Sequence, residues 1–275
     1  MKFTKMQGCG NDYVYVNGMN TEVKDKPTLV KLLSDRHFGI GGDGVIFIND
    51  SAIADFEMEM YNADGSRSQM CGNGIRCVGK YVYDKGLTKN TSITVESYGQ
   101  IKYLDLRVEN GKVKEVSVDM GEPILKGNLI PVACNDDLVL NHPVTVDAQE
   151  FKVNCVSMGN PHAVIFVDEI TDDLVLNIGK QLEVHEFFPE RVNVEFVKVI
   201  DDSNVEMRVW ERGTGETLAC GTGCCATAVS CILNEKTSRN VNVHVVGGVI
   251  NIAWDEETNH ITMTGPAVTV FEGEI

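Results

Sequence analysis

The chain has 275 residues, 43% hydrophobic and 23% charged, which fits an ordinary globular protein of about two domains. Its formal net charge of -16 argues against a nucleic-acid-binding surface, which needs clustered Lys and Arg. No stretch has the apolar run of a signal peptide or a membrane span, so the nine cysteines read as reduced thiols in a cytoplasm, with Cys134, Cys155, Cys225 and Cys231 packed as small hydrophobes.

Lys2 to Gln7 reads as a strand, Gly8 to Asp12 as a tight turn, and Tyr13 to Asn17 as a second strand of β-branched and aromatic residues. Leu29, Leu32 and Leu33 recur at helical spacing, predicting a helix over Pro27 to His37, followed by the glycine-rich loop Gly39 to Gly44. Strands follow at Val45 to Ile48 and Phe56 to Tyr61, then a helix at Gly74 to Tyr83 ended by Asp84-Lys85-Gly86. Ser92 to Glu96, Ile101 to Val108 and Val113 to Met120 alternate like antiparallel strands, the last two joined by Glu109-Asn110-Gly111.

The remaining elements repeat this order. Strands are expected at Val144 to Val146, Phe151 to Met158, Ala163 to Val167, Asn193 to Val199 and Val205 to Trp210. Helices are expected at Leu174 to Val184 and Thr222 to Asn234, and strands at Val241 to Val246, Val249 to Trp254, His260 to Thr264 and Ala267 to Phe271. The expected division is a first half over 1–120, joined by the last strand within 266–275, and a second half over 121–265.

One stretch occurs twice. Phe56 to Tyr61, Asn62-Ala63-Asp64-Gly65-Ser66 and Met70-Cys71-Gly72-Asn73-Gly74 fall on Val205 to Trp210, Glu211-Arg212-Gly213-Thr214-Gly215 and Ala219-Cys220-Gly221-Thr222-Gly223 at a constant offset of 149. Gly10-Asn11 falls on Gly159-Asn160, and Asp43 to Phe47 on Val192 to Phe196, at the same offset. The expectation is an α/β (α+β) protein of two pseudo-symmetric halves, a duplicated domain rather than a solenoid repeat.

Each copy sets a cysteine at a glycine-rich helix entrance. The first N–H groups of a helix have no intrahelical acceptor, so they attract an anion, and the helix dipole lowers the pKa of a thiol there. If the halves face each other, N–H groups from both helices hold a substrate carboxylate and one thiol stands on each side of its α-carbon. One thiolate then removes a proton and one thiol returns one, which inverts a stereocentre. Other uses of the thiols stand beside this one: a Cys71–Cys220 disulfide as an oxidised form, a thiol-switch protein that only binds amino acids, or a zinc site, for which Cys220-x-x-x-Cys224 lacks a second matched pair. Cys-x-x-Cys and the phosphate-loop and dinucleotide-loop motifs are absent, and the reading assigns no cofactor and no metal.

The residues Gly8 to Asp12, Asn62 to Ser66, Met70 to Cys77, Gly159 to His162, Arg191 to Phe196, Glu211 to Thr217 and Cys220 to Gly223 together resemble the diaminopimelate epimerase family from the first strand to the last. The resemblance implies a cofactor-independent isomerase interconverting LL- and meso-2,6-diaminopimelate, on the route to lysine and the peptidoglycan cross-link. It implies two halves, each a curled, mostly antiparallel sheet around a central helix, in a homodimer; the cytoplasm as location and no nucleic-acid or membrane partner are the expectations from composition. By position, Cys71 and Cys220 become the acid/base pair and His162 and Glu211 their polar neighbours. Asn11, Asn62, Gly72, Asn73, Asn160, Asn193, Glu211, Arg212, Gly221 and Thr222 match substrate-contacting positions. Arg212, opposite Ala63, is the candidate clamp for a distal carboxylate. A related two-thiol racemase for proline or histidine is the alternative. Two positions depart from the family pattern: Gly44 stands where some members have Gln, and Cys9 replaces an apolar residue.

Overall fold

The computed structural model describes residues 1–68 and 70–275 and shows a mixed α/β protein rich in strands. Internal contacts divide it into two compact units, Met1–Asp119 with Thr264–Ile275, and Met120–Met263.

In the first unit, β1 (Lys2–Gly8) and β2 (Asn11–Asn17) form a hairpin closed at Gly8 and Asn11. Its two-residue loop is Cys9-Gly10, with φ of 52° and 84°. Positive φ at both loop positions suits the twist of the flanking strands, and Cys9 carries the strain that a side chain meets there. Helix α1 (Lys26–Ser34) crosses over to β3 (Gly44–Asn49), which lies parallel to β2. The helix ends three residues before the predicted His37, because the Asp35 carboxylate turns back to accept the N–H groups of His37 and Phe38.

β4 (Phe56–Asn62) returns antiparallel to β3, and the short β5 (Arg67–Ser68) folds back onto it. Helix α2 (Gly72–Asp84) then crosses to β6 (Ser92–Ser97), parallel to β4. The antiparallel strands β7 (Gln100–Glu109) and β8 (Lys112–Gly121) follow, joined through Asn110-Gly111 with φ of 53° and 75°. The strands around β2 and β3 are buried on both faces. Val14, Val16, Val45 and Phe47 pack with Val30 and Leu33 of α1. The alternate residues lie on the α2 side: the Tyr15 hydroxyl donates to Gly74 O at 3.2 Å, and Ile46 stands beside Gly74.

The second unit repeats the plan. β9 (His142–Val146), β10 (Gln149–Ser157) and β11 (Pro161–Phe166) run antiparallel in turn. The predicted helix over Leu174 to Val184 is divided: Leu174–Ile178 is wound as a π-helix, and only α3 (Gly179–Glu183) is α-helical. β12 (Asn193–Val199) lies parallel to β11, β13 (Asn204–Glu211) runs antiparallel to β12, and the short β14 (Gly215–Thr217) antiparallel to β13. Helix α4 (Gly221–Leu233) crosses to β15 (Asn240–Val245), parallel to β13, and β16 (Gly248–Trp254) and β17 (Ile261–Pro266) follow. Ala163, Ile165, Val194 and Phe196 face a core shared with Ile178 and Leu182. β18 (Val268–Glu274) returns to pair antiparallel with β1, as β9 pairs with β10. Among the described residues, no helix is long and apolar enough to cross a membrane.

Candidate active site

Helices α2 and α4 occupy residues 72–84 and 221–233, the same span shifted by 149, and each is capped by a cysteine in extended conformation. In the first unit, Gly74 N–H donates to Cys71 Sγ at 3.2 Å. In the second, Gly223 N–H donates to Cys220 Sγ at 3.4 Å. A cap normally uses Ser, Thr, Asp or Asn oxygen; sulfur in that place points the unsatisfied N–H groups and the positive helix end at the thiol. All nine cysteines are thiols, Cys71 half-buried and Cys220 buried.

Around Cys71 the geometry is set by charges on neighbouring loops. The thiol lies 3.0 Å from Asn11 Oδ1, while Asn11 Nδ2 donates to Asp43 Oδ2 at 2.6 Å. The carboxylate can only accept, so it fixes the amide with its carbonyl end toward sulfur, where it receives the thiol proton. Asp43 is held in turn by Arg36 at 2.9 Å, and Arg36 also pairs with Asp12, which Lys5 approaches to 2.6 Å. The Tyr13 hydroxyl stands beside Cys71 and Asn11; burial first, then the neighbouring Cys71 and Asp43, pushes its pKa far up and keeps it a hydrogen-bond donor. The Asn73 side chain meets Arg76, its Oδ1 accepting from Arg76 Nη2 at 2.9 Å. Asn62 closes its own turn, donating to Ser66 Oγ at 3.1 Å. Gly44, where the strand begins, packs directly against the Tyr61 carbonyl: a Cβ there would stand 1.9 Å from that oxygen.

Cys220 lies among carboxyl groups. Burial first, then Glu211 and Glu195, raises its pKa well above the ordinary thiol value. The Glu211 carboxyl is also raised, chiefly by burial, although it accepts a bond from the Thr217 hydroxyl. Thr222 Oγ1 lies 3.6 Å from Cys220 Sγ and accepts from Asn160 Nδ2 at 3.3 Å. Asn160 Oδ1 faces His162 Nε2 at 3.1 Å, and His162 Nδ1 lies 2.7 Å from Glu195 Oε1. Both ends of the Asn193 amide are used inside the half: Nδ2 donates to Pro161 O and Oδ1 accepts the Arg212 N–H, each at 2.9 Å. Together with Glu183 Oε1, which accepts the Gly213 N–H at 2.8 Å, this pins the turn that carries Glu211 and Arg212. Arg212 itself is exposed and donates to the Glu190 carbonyl at 3.1 Å.

Cys71 and Asn11 are thus gathered in one half, and Cys220, Thr222, Asn160, His162 and Glu211 in the other. Tyr13, Asp43 and Glu195 were not singled out as site residues from sequence. Tyr13 had a signal, since the offset places it opposite His162. Glu195 had another: it is an acid inside Asn193-Val194-Glu195-Phe196-Val197, a run otherwise suited to a strand buried on both faces. Among the described residues, no group of three or more His, Cys, Asp or Glu is placed to hold a metal ion.

Comparison with known proteins agrees at two levels. Proteins of the same fold include a probable proline racemase from Agrobacterium radiobacter, at TM-score 0.71 and 14% identity over 100% of this chain and 92% of that one. A PhzF-family phenazine biosynthesis protein from Bacillus anthracis is similar at TM-score 0.69 and 16% identity over 100% and 98%. At the level of sequence, the diaminopimelate epimerase of Acetivibrio thermocellus is 54% identical over 100% of this chain and 98% of its own. That of Methanococcus maripaludis is 52% identical over 100% and 99%. The family model for diaminopimelate epimerase matches residues 3–126 and 154–270, which take in both cysteine-capped helices. With both halves matched and relatives more than half identical along their whole length, the chain belongs to the diaminopimelate epimerase family of isomerases.

Proposed function

We propose that the protein interconverts LL- and meso-2,6-diaminopimelate by a two-base mechanism in which Cys71 and Cys220 serve opposite faces of one α-carbon. The observation that carries this reading is the duplicated cap, a thiol receiving a helix N-terminal N–H at 3.2 Å in one half and 3.4 Å in the other. The barrier is the weak acidity of the α-proton. N–H groups of Gly72, Asn73, Gly221 and Thr222 lower it by stabilising negative charge that spreads into the α-carboxylate. One sulfur takes the proton as thiolate while the other, as thiol, delivers one from the far side, so the pair exchanges protonation states with each turnover.

The other site residues take supporting roles. His162 and Glu211 tune the thiols; Asn11, Asn62, Asn160, Asn193 and Glu211 contact the amino-acid groups. Arg212 clamps the distal carboxylate, and no ion pair engages its guanidinium among the described residues. The reaction places the protein in the supply of lysine and of the peptidoglycan cross-link, as a cytoplasmic homodimer using no cofactor. The test is solvent exchange. Reduced protein incubated with LL-diaminopimelate in deuterated water should give meso product carrying one deuterium at the inverted carbon. An α-proton retained throughout would refute the reading.

A further inference from the structure

We propose that Glu195 is a positioning residue of the Cys220 half, acting on the thiol through His162, Asn160 and Thr222; its kinetic consequence rests on the epimerase reading, its structural one does not. Glu195 is 0% exposed in the middle of β12, and so is His162 on the neighbouring parallel strand β11. Burying a carboxylate is costly unless it is paired, and one of its oxygens, Oε2, has no hydrogen-bond partner among the described residues. Such a group stays in a core when it does something that packing alone does not.

The duplication supplies the control. Glu195 falls on Ile46 at the 149 offset, and both stand at the same place under the capped helix. A Cβ built on Gly74 would meet Ile46 Cδ1 at 2.9 Å; one built on Gly223 would meet Glu195 Oε1 at 2.7 Å. In the first unit an isoleucine fills this position against the helix start. Packing therefore does not require the charge in the second.

What the carboxylate adds is one end of a continuous polar path. Its steps are Glu195 Oε1 to His162 Nδ1 at 2.7 Å, His162 Nε2 to Asn160 Oδ1 at 3.1 Å, Asn160 Nδ2 to Thr222 Oγ1 at 3.3 Å, and Thr222 Oγ1 to Cys220 Sγ at 3.6 Å. Both ring nitrogens of His162 face acceptors. Nε2 therefore donates to Asn160 and Nδ1 to Glu195. The Nε2–H holds the Asn160 carbonyl and turns its amide N–H toward Thr222, leaving the Thr222 hydroxyl proton available to sulfur. At the equivalent Asn11, Asp43 imposes the opposite orientation, carbonyl toward Cys71. Thus the two equivalent asparagines present opposite polarity, an acceptor at Cys71 and, through Thr222, a donor at Cys220. The other titratable groups facing the pair are Glu211 on β13, Cys220 at the head of α4 and Cys155 on β10.

The test uses the full-length protein with 15N-labelled histidine, His162 being identified by the resonances lost in His162→Asn. In the wild type at neutral pH, both ring nitrogens should be protonated. In Glu195→Gln the amide donates to Nδ1, so that nitrogen should lose its proton while Nε2 keeps its own. With diaminopimelate, Glu195→Gln should lose about 100-fold in kcat in both directions, the low end of what a positioned acid–base group contributes. Its KM should stay within threefold, the pH–rate profile should shift, and Glu195→Asp should recover part of the loss. A single proton on wild-type His162 overturns the proposal, as does a folded Glu195→Gln with kcat within twofold of wild type or an unchanged pH profile. Should Glu195→Gln not fold, the wild-type ring decides: two protonated nitrogens support the proposal and one refutes it. Wild-type protein inactive on diaminopimelate would sink the substrate reading and leave the imidazole result standing.

Discussion

Replacing Gly223 by alanine tests how tightly the Cys220 half is built. The residue lies in the first turn of α4 with no positive φ, so alanine gains helix propensity of about 1 kcal/mol over glycine. Against this, the new Cβ would stand 2.7 Å from Glu195 Oε1 and 3.3 Å from Cys220 Sγ. Glu195 cannot swing aside freely, because it is buried and held by His162 at 2.7 Å. Overpacking of this kind costs about 1–3 kcal/mol. The net loss is then roughly 0–2 kcal/mol, a fall of a few degrees in Tm for a chain of this size. Activity should suffer more, since a misplacement approaching 1 Å at a reacting group costs on the order of 100-fold. Gly74→Ala is the matched comparison: there the obstacle is the Ile46 methyl end at 2.9 Å, the tip of an apolar side chain that no hydrogen bond holds in place. Initial rates of deuterium incorporation, with Tm measured in parallel, give both quantities. The reasoning fails if Gly223→Ala keeps kcat equal to or above that of Gly74→Ala.

Two further outcomes are expected. Arg212→Leu should raise KM for diaminopimelate roughly 10- to 100-fold, the worth of a hydrogen bond to a charged group. Tm should barely move, because among the described residues the exposed guanidinium holds only the Glu190 carbonyl; an unchanged KM would remove Arg212 as the distal clamp. Burial lifts the Cys77 and Cys231 thiols to about 11 and about 12, and raises those of Cys9, Cys155 and Cys220. An unfolded thiol ionises near 8.5, so this stabilising contribution is complete below about pH 8.5 and is lost as pH rises toward the folded values. Tm should therefore decline steeply above pH 9. Cys231→Ala should flatten the decline by up to about 1.4 kcal/mol per pH unit; an identical slope in that variant would contradict the assignment.

The extent of the elements and their order were legible in the residues because both depend on local patterning. The 149 offset carries helix 72–84 onto 221–233 without a shift, and a Gly-x-Gly after each cysteine announces where the helix starts. At two places local signals compete. Leucine spacing extended α1 to His37, but a three-residue stretch was claimed by the Asp35 side chain instead. In Leu174 to Val184 the apolar spacing suits a helix but does not distinguish α from π winding. The positions of the two cysteines were likewise readable, since a helix cap is a local object. Of what each cysteine meets, Asn11, Thr222 and Glu211 came from the family resemblance, while Asp43 and Glu195 did not. Asp43 orients Asn11 across 32 residues, and Glu195 reaches His162 across 33, through parallel strand pairs whose register only a crossover helix packed on a core can set. A duplicated sequence therefore determines two like frames with a thiol at the head of each helix. Side-chain partners brought together by tertiary packing, Tyr13 and Asp43 in one frame, His162 and Glu195 in the other, decide how the two thiols differ, because burial amplifies every unmatched charge and every amide orientation around them.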